Sequence, residues 1–138
     1  MIQPFHLAIK THDLDKARAF YGELLGFEEG RSTNSWIDWN FFGHQLVTHL
    51  DNSLIIDNII NLVDNKNIPV PHFGVVLKWE EWHKFAENLK NKKIKFIVEP
   101  YIRFRGLIGE QATMFFLDCS GNALEFKSFQ DESQLFAK

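Results

Sequence analysis

The sequence predicts an α+β fold made of two similar halves. Each half opens with a short apolar strand that contains a histidine, at residues 5–9 and again at residues 71–77. In each half, apolar residues at helical spacing follow that strand, and strand-like runs come after them. Doubling of this kind can mark two copies of one supersecondary unit that pack together. We therefore expect two tandem modules, each with the order strand, helix and three strands.

The first predicted helix begins near Asp13 and ends at Gly26. Thr11 and Asp13 are both candidates for the N-cap, where a short polar side chain accepts hydrogen bonds from the first turn. Gly26 suits the position that follows the last helical residue, with Phe27 as its hydrophobic partner. The apolar face of this helix consists of Leu14, Ala17, Tyr21, Leu24 and Leu25. The strands predicted after it are 26–29, 36–42 and 45–50, with Gly43-His44 between the last two.

The second predicted helix follows the strand at 71–77. Its apolar stripe consists of Trp79, Trp82, Phe85, Ala86 and Leu89. Three more strands are predicted at 94–98, 111–117 and 123–129. The segment Asp118–Asn122 contains turn-forming residues and joins the last two strands.

The length of 138 residues fits a single domain. We expect module one at about 1–51, a connecting segment at 52–70, module two at 71–130 and a polar tail at 131–138. The connecting segment is rich in apolar residues but has no clear period, so a short helix and a packed loop are both open. Pro69 and Pro71 would end any helix there.

Composition and charge exclude several classes of protein. The net charge is −3, and 45% of residues are hydrophobic, which is ordinary for a globular domain. The basic run at 90–95 fits a solvated helix end, where cations complement the helix dipole, better than a nucleic-acid site. We find no secretion signal and no run of the ~18 apolar residues that a membrane span needs. The single Cys119 lies in a predicted turn, so we expect a cytoplasmic protein without disulfides and no catalytic role for this thiol.

Four predicted strands each present one side chain that can bind a metal. Alternate residues of a strand share a face, and this places His6, His49, His72 and Glu125 on the faces opposite the larger apolar residues. Imidazole and carboxylate groups together suit zinc, iron, nickel, manganese or copper. Two histidines at matching places in two halves, with a carboxylate in the last strand, therefore predict a metal site.

Each of these residues also has an ordinary structural explanation. A lone histidine near the start of a strand is usually structural, and Glu125 could lie on a solvated sheet face. His49 could pair with Asp51 in a turn. The remaining histidines do not fit the pattern, because His12 and His44 are predicted in loops and His83 on a solvent-facing helix position.

The chain resembles the vicinal-oxygen-chelate superfamily, which includes glyoxalases, extradiol dioxygenases, fosfomycin-resistance transferases and bleomycin-resistance proteins. The segments that carry the resemblance are Phe5–Ile9, Asp13–Tyr21, Leu24–Phe27, Pro71–Val75 and Phe116–Phe126. Among them, Asp118-x-x-Gly121-Asn122-x-x-Glu125 is the most specific. The resemblance implies paired βαβββ modules whose sheets curl into an open cup around one divalent metal ion.

The resemblance also implies roles for individual residues. His6, His72 and Glu125 would be metal ligands, and a fourth family position falls on Val47 or His49, of which we favour His49. Catalytic roles are expected for His49, Tyr101 and Arg103. The further residues expected to line the site are Arg105, Gln111, Trp36, Asp38 and Asn40.

Three functions compete on this basis. The favoured one is a metal-dependent, extradiol-dioxygenase-like enzyme that acts on a small oxygenated compound chelated to Fe, Zn, Ni or Mn. A glyoxalase-like isomerase or lyase is the second, although such enzymes usually bring a carboxylate from each module and His49 stands there instead. A metal-free protein that binds a drug or metabolite is the third. Members of the superfamily commonly dimerise, so we expect a homodimer that binds a small molecule, with no nucleic acid or membrane as partner.

Overall fold

Two four-stranded mixed sheets confirm the predicted α+β fold with tandem βαβββ modules. The structure is a computed structural model that describes residues 3–55 and 68–138. The described residues fall into two compact units, the first with residues 3–55 and Asp118–Asn122, and the second with 68–117 and 123–138. The helix or packed loop considered for the connecting segment falls largely at 56–67, outside the described residues. No helix in the two described ranges is long and apolar enough to cross a membrane.

The first unit holds one sheet with the strand order β1-β4-β3-β2. β1 runs parallel to β4, and the other neighbours are antiparallel. The core side of this sheet includes Ile37, Trp39 and Thr48, which are all buried, and the Trp39 indole donates to Thr48 Oγ1 at 3.1 Å. The strands are β1 (His6–Thr11), β2 (Glu28–Ser32), β3 (Trp36–Phe41) and β4 (His44–Leu50).

The helix of the first unit starts as predicted but changes its winding. Asp13 is the N-cap of α1 (Leu14–Ala17) and accepts from the amides of Asp15 and Lys16. The helix then continues as a π-helical segment, Arg18–Leu24. Gly26 follows it with φ +77°, as its predicted place after the helix requires. The apolar spacing, which is the same for both kinds of winding over so short a segment, did not predict this π-helical turn.

The predicted turn Asp118–Asn122 forms and belongs to the first unit. The Asp118 carboxylate accepts from the Tyr21 hydroxyl at 2.6 Å, from two backbone amides and from the Asn122 side chain. Burial raises the pKa of Asp118 and raises that of Tyr21 well above its ordinary value. Asn122 Nδ2 also donates to the Lys10 carbonyl at 2.8 Å. This buried network therefore ties the turn to the helix and to β1.

The second unit holds the other sheet, with the order β5-β8-β7-β6. Its helix is α2 (Trp79–Asn91), which buries Trp82, Ala86 and Leu89 as the apolar stripe predicts. The Trp82 indole donates to the Phe126 carbonyl at 2.8 Å, which fixes α2 on the core side of the sheet. The strands are β5 (His72–Phe73), β6 (Phe96–Arg103), β7 (Gln111–Leu117) and β8 (Ala123–Phe129).

Several predicted boundaries were wrong. β5 covers two residues rather than 71–77, because Gly74 presses against the backbone of Glu125, and pairing resumes only as a bridge between Val76 and Lys127. β6 runs on to Arg103, since its pairing with β7 continues past residue 98. β2 starts at Glu28, and the tail forms a 3₁₀ helix, Glu132–Phe136, capped by Asp131.

Candidate metal centre

In the second unit, His72 and Glu125 meet on one face of the sheet. β5 runs parallel to β8 with His72 opposite Ala123, so Glu125, two residues further along β8, projects from the same side. His72 Nε2 lies 3.1 Å from Glu125 Oε2, and the two side chains are 29% and 14% exposed. The His72 ring also packs edge-on against Phe115 at 5.1 Å between centroids. The structure therefore brings together two of the predicted ligands.

The hydrogen bonds of His72 define which ring nitrogen faces Glu125. His72 Nδ1 lies 2.7 Å from the Pro69 carbonyl oxygen, which can only accept a hydrogen bond. Nδ1 must therefore carry a proton, and in a neutral ring Nε2 then has the lone pair. That lone pair faces a carboxylate oxygen, which is also an acceptor. The contact is favourable only if a proton or a metal cation is shared by the two groups.

The carboxylate of Glu125 is held by its neighbours on the sheet. Thr113 Oγ1 donates to Glu125 Oε1 at 2.7 Å, and Lys127 Nζ lies 3.8 Å from the same oxygen. Oε1 is thereby engaged, while Oε2 faces His72. Neither Lys127 nor Thr113 is among the site residues predicted from the sequence. Strand alternation could have indicated Lys127, whereas the Thr113 contact depends on the pairing of β7 with β8.

In the first unit, His6 has an equivalent arrangement. Its Nδ1 lies 2.8 Å from Gln45 Oε1, and the Gln45 amide nitrogen donates to Asp38 Oδ2 at 3.3 Å. With this amide orientation Nδ1 carries the proton, and Nε2 is the nitrogen with a free lone pair. His6 and His72 thus present the same nitrogen for ligation, and both have an oxygen acceptor behind them.

The strand register shows whether Val47 or His49 stands where the superfamily's fourth metal ligand is expected. In the second sheet the carboxylate stands two residues after the partner of His72. In the first sheet His6 pairs with Gln45, so the matching position is Val47. His49 lies two residues beyond Val47, where it pairs with Lys10, and it is exposed. Asp51, the alternative partner considered for His49, accepts instead from Lys10 at 2.9 Å and from Ser53.

The register also places Tyr101 and Arg103. Tyr101 pairs with Thr113, and Arg103 pairs with Gln111. Residues directly opposite each other on antiparallel strands point to the same face, so both candidates lie on the sheet face that carries Glu125. Both are exposed. Tyr101 also borders a cleft of about 750 Å³ beside α2.

The other histidines are engaged elsewhere. His12 lies in a loop as predicted, with Nδ1 2.7 Å from Ser120 Oγ. His83 is exposed on α2 beside Trp82. The prediction for His44 was wrong, because this residue begins β4 and its Nδ1 accepts from the Phe5 amide at 2.9 Å.

Comparison with known proteins decides the family. The family model of the Glyoxalase/Bleomycin resistance protein/Dioxygenase superfamily matches residues 3–126. The chain belongs to this superfamily. It is 33% identical to a glyoxalase/bleomycin resistance protein/dioxygenase from Alicyclobacillus acidocaldarius, over 97% of this chain and 96% of that chain, with a TM-score of 0.80.

More distant structures share the superfamily fold. One is the fosfomycin resistance protein FosX from Listeria monocytogenes, with 18% identity, 97% and 96% of the two chains covered and a TM-score of 0.64. Another is a glyoxalase/dioxygenase from Nostoc punctiforme, with 15% identity, 94% and 92% covered and a TM-score of 0.65. No curated protein matches the sequence at a significant level.

The donor groups of this superfamily member fit a divalent metal chemically. An imidazole nitrogen and a carboxylate oxygen are both groups that bind divalent ions, and His72 Nε2 and Glu125 Oε2 lie 3.1 Å apart. The hydrogen bonds behind His72 and His6 are of the kind that orients metal-binding imidazoles. Among residues 3–55 and 68–138, no group of three His, Cys, Asp or Glu side chains is arranged to hold an ion.

Proposed function

We propose that this protein is a metal-dependent enzyme that acts on a small oxygenated compound, with His6, His72 and Glu125 as the ligands of one divalent ion. The contact between His72 and Glu125 carries the proposal. An Nε2 lone pair and a carboxylate oxygen lie 3.1 Å apart, with the other nitrogen of the ring committed to a carbonyl. Two acceptors held in this way form a site for a cation.

The residues around the site suit a substrate with negatively charged or polarised oxygens. A bound metal ion would supply a Lewis acid able to hold two neighbouring oxygens of the substrate. Lys127 stands beside Glu125 and provides a positive charge next to the ligands. Arg103 and Tyr101, on the same sheet face, offer a guanidinium and a phenol to the remainder of the substrate. Thr113 holds Glu125 in place through its hydrogen bond.

Within the superfamily we favour the dioxygenase-like branch over the isomerase branch. Two histidines and one carboxylate with open positions form the facial arrangement of non-haem Fe(II) oxygenases. An isomerase of this superfamily would use a carboxylate from the first module, and the register puts Val47 at that position. We assign His49 the role of a substrate-facing base rather than a ligand, because it stands one step beyond Val47 on the same strand face.

The second candidate is a metal-free protein that binds a drug or metabolite. One observation favours it, namely that His72 Nε2 and Glu125 Oε2 already lie at ion-pair distance, 3.1 Å, so that a proton alone could stabilise the contact. In that case His72 would be protonated and would form an ion pair with Glu125. Metal content separates the two functions directly.

The test is to purify the protein without added metal or chelator and to measure its metals by mass spectrometry. We expect about one ion per chain, retained in His83→Ala and lost in His6→Ala, His72→Ala and Glu125→Gln while the circular dichroism spectrum is unchanged. His83 is the matched control, because it is an exposed histidine on α2. No metal in the wild type after reconstitution with Fe, Zn, Ni and Mn would refute the proposal and favour the binding protein.

Two further measurements resolve the finer assignments. His49→Ala should keep the metal and lose turnover, whereas loss of the metal would make His49 the fourth ligand. Oxygen uptake by the iron form with catechols, compared with isomerisation of 2-oxoaldehyde adducts, separates the dioxygenase from the isomerase. We also propose a homodimer, for which light scattering should give about twice the 16.2 kDa of one chain.

A further inference from the structure

Three polar side chains form a row across the first sheet, on the face that carries His6. His6 belongs to β1, Gln45 to β4 and Asp38 to β3. His6 Nδ1 contacts Gln45 Oε1 at 2.8 Å, and Gln45 Nε2 contacts Asp38 Oδ2 at 3.3 Å. The row runs from a proposed ligand, through an amide, to a carboxylate that does not itself touch the histidine.

Asp38 determines which end of the amide faces His6. Its carboxylate is only 14% exposed and, when ionised, can only accept hydrogen bonds. A mostly buried carboxylate needs donors, so the NH₂ end of Gln45 turns toward it and the carbonyl end turns toward His6. Among the described residues a cation, Arg31, also lies near Asp38, but it is 84% exposed and 3.8 Å away, a geometry that contributes little.

The orientation of the amide determines the tautomer of His6. A carbonyl oxygen facing Nδ1 requires the proton on Nδ1 and leaves the lone pair on Nε2. The reversed amide would present an N–H to Nδ1, favour the proton on Nε2 and remove the lone pair that a metal needs. In the second unit the Pro69 carbonyl is bonded to His72 Nδ1 directly, and a backbone carbonyl cannot be exchanged for an N–H by a side-chain flip. Of these two histidines, His6 is therefore the one whose tautomer depends on a side-chain amide that can flip.

We propose that Asp38 is a positioning residue that orients Gln45 and thereby sets the Nδ1–H tautomer of His6. Its effect on metal affinity rests on the proposed function, whereas the tautomer is a property of the metal-free protein. The proposal therefore has two separate readouts. One is the ring-nitrogen spectrum of the apo protein, and the other is the affinity for Zn²⁺ in competition with a chelator.

The decisive variant is Asp38→Ala, which removes the acceptor that holds the amide. In long-range ¹H–¹⁵N spectra of histidine-labelled apo protein at about pH 8.5, where histidine is ordinarily neutral, the His6 signals should shift toward the Nε2–H form. His6→Gln identifies those signals by their absence. Zn²⁺ affinity should fall by less than the about 10- to 100-fold that follows loss of a ligand's direct hydrogen-bond partner, because Gln45 itself remains.

Two controls separate positioning from a general structural effect. Arg31→Gln removes the weak ion pair but leaves Asp38, so the tautomer and the affinity should stay unchanged. The double variant Asp38→Ala with Gln45→Glu places a carboxylate behind His6 that accepts from Nδ1 in either orientation, so it should restore both readouts. If Asp38→Ala fails to fold, Asp38→Asn should shift both readouts in the same direction by a smaller amount.

The outcomes are distinct. An unchanged His6 tautomer in Asp38→Ala, or an affinity that the double variant does not recover, would overturn the proposal. If the wild type binds no metal, the proposed function fails, yet the apo spectra still decide whether Asp38 sets the tautomer of His6.

Discussion

Gly74 is the point where a single methyl group should disturb the site most. A Cβ built at Gly74 would lie 1.5 Å from the Glu125 carbonyl oxygen and 2.6 Å from its carbonyl carbon, whereas real Cβ contacts do not fall below 3.0 Å. In Gly74→Ala the two chain segments must therefore separate by about 1.5 Å, or β5 must leave the sheet. β5 is held to β8 by two residue pairs, His72 with Ala123 and Phe73 with Leu124. Because this pairing is short, we expect it to break easily when the added methyl group pushes the strands apart.

The expected cost of Gly74→Ala follows from this clash. Overpacking in a well-packed region typically costs about 1–3 kcal/mol, and with a urea m-value of about 2 kcal/mol/M the unfolding midpoint would fall by about 0.5–1.5 M. Because His72 and Glu125 would move apart, metal affinity should also fall by about 10- to 100-fold. Equilibrium urea unfolding of the apo protein and a Zn²⁺ competition titration measure the two effects.

Gly22→Ala is the matched control. Its added Cβ would meet only the Trp39 ring, at 3.4 Å, which is ordinary contact, and alanine is the better helix former by up to about 1 kcal/mol. We expect an unchanged or slightly raised midpoint in this variant. A Gly74→Ala protein with the wild-type midpoint and wild-type affinity would refute the close approach of Gly74 to Glu125.

Three other predictions concern the first unit. Tyr21→Phe removes a buried hydrogen bond to Asp118 and should cost about 1.5–3 kcal/mol in urea unfolding; no loss would mean that Asp118 needs no donor from the helix. Hydrogen bonds from Ser53 lower the pKa of Asp51 to about 2, so its contribution to stability is present above its ordinary pKa of 3.8 and is lost as the pH falls toward 2. Asp51→Asn should therefore flatten the loss of stability between those pH values, and a curve parallel to the wild type would contradict this. Burial raises the pKa of Cys119, so iodoacetamide should label this thiol slowly near neutral pH and faster in urea, and equal rates would show an accessible thiolate.

The sequence was most informative where structure depends on local spacing. The apolar stripe at period 3.6 placed α2, the polar side chain of Asp13 placed the start of α1, and Gly26 marked the end of the first helix. Strand alternation placed His72 and Glu125 on one face, which their 3.1 Å contact confirms. Each of these inferences needs only the backbone geometry of a single element.

The sequence was least informative where two elements meet. The length of β5 depends on Gly74 touching a strand some fifty residues away, and the extension of β6 depends on its pairing with β7. Likewise, only the pairing of β1 with β4 puts Val47 rather than His49 at the position that matches Glu125.

The sequence by itself therefore determined the two modules, the family and the chemical types of the candidate ligands. The tertiary structure decided which groups lie next to Nδ1 of His6 and of His72, because the Gln45 amide and the Pro69 carbonyl reach these rings only in the folded chain. Hydrogen-bond partners of this kind lie on other strands or around a bend. Which partner a ring meets depends on the register between strands and on how closely two chain segments approach each other. The spacing of residues along a single strand carries no information about either.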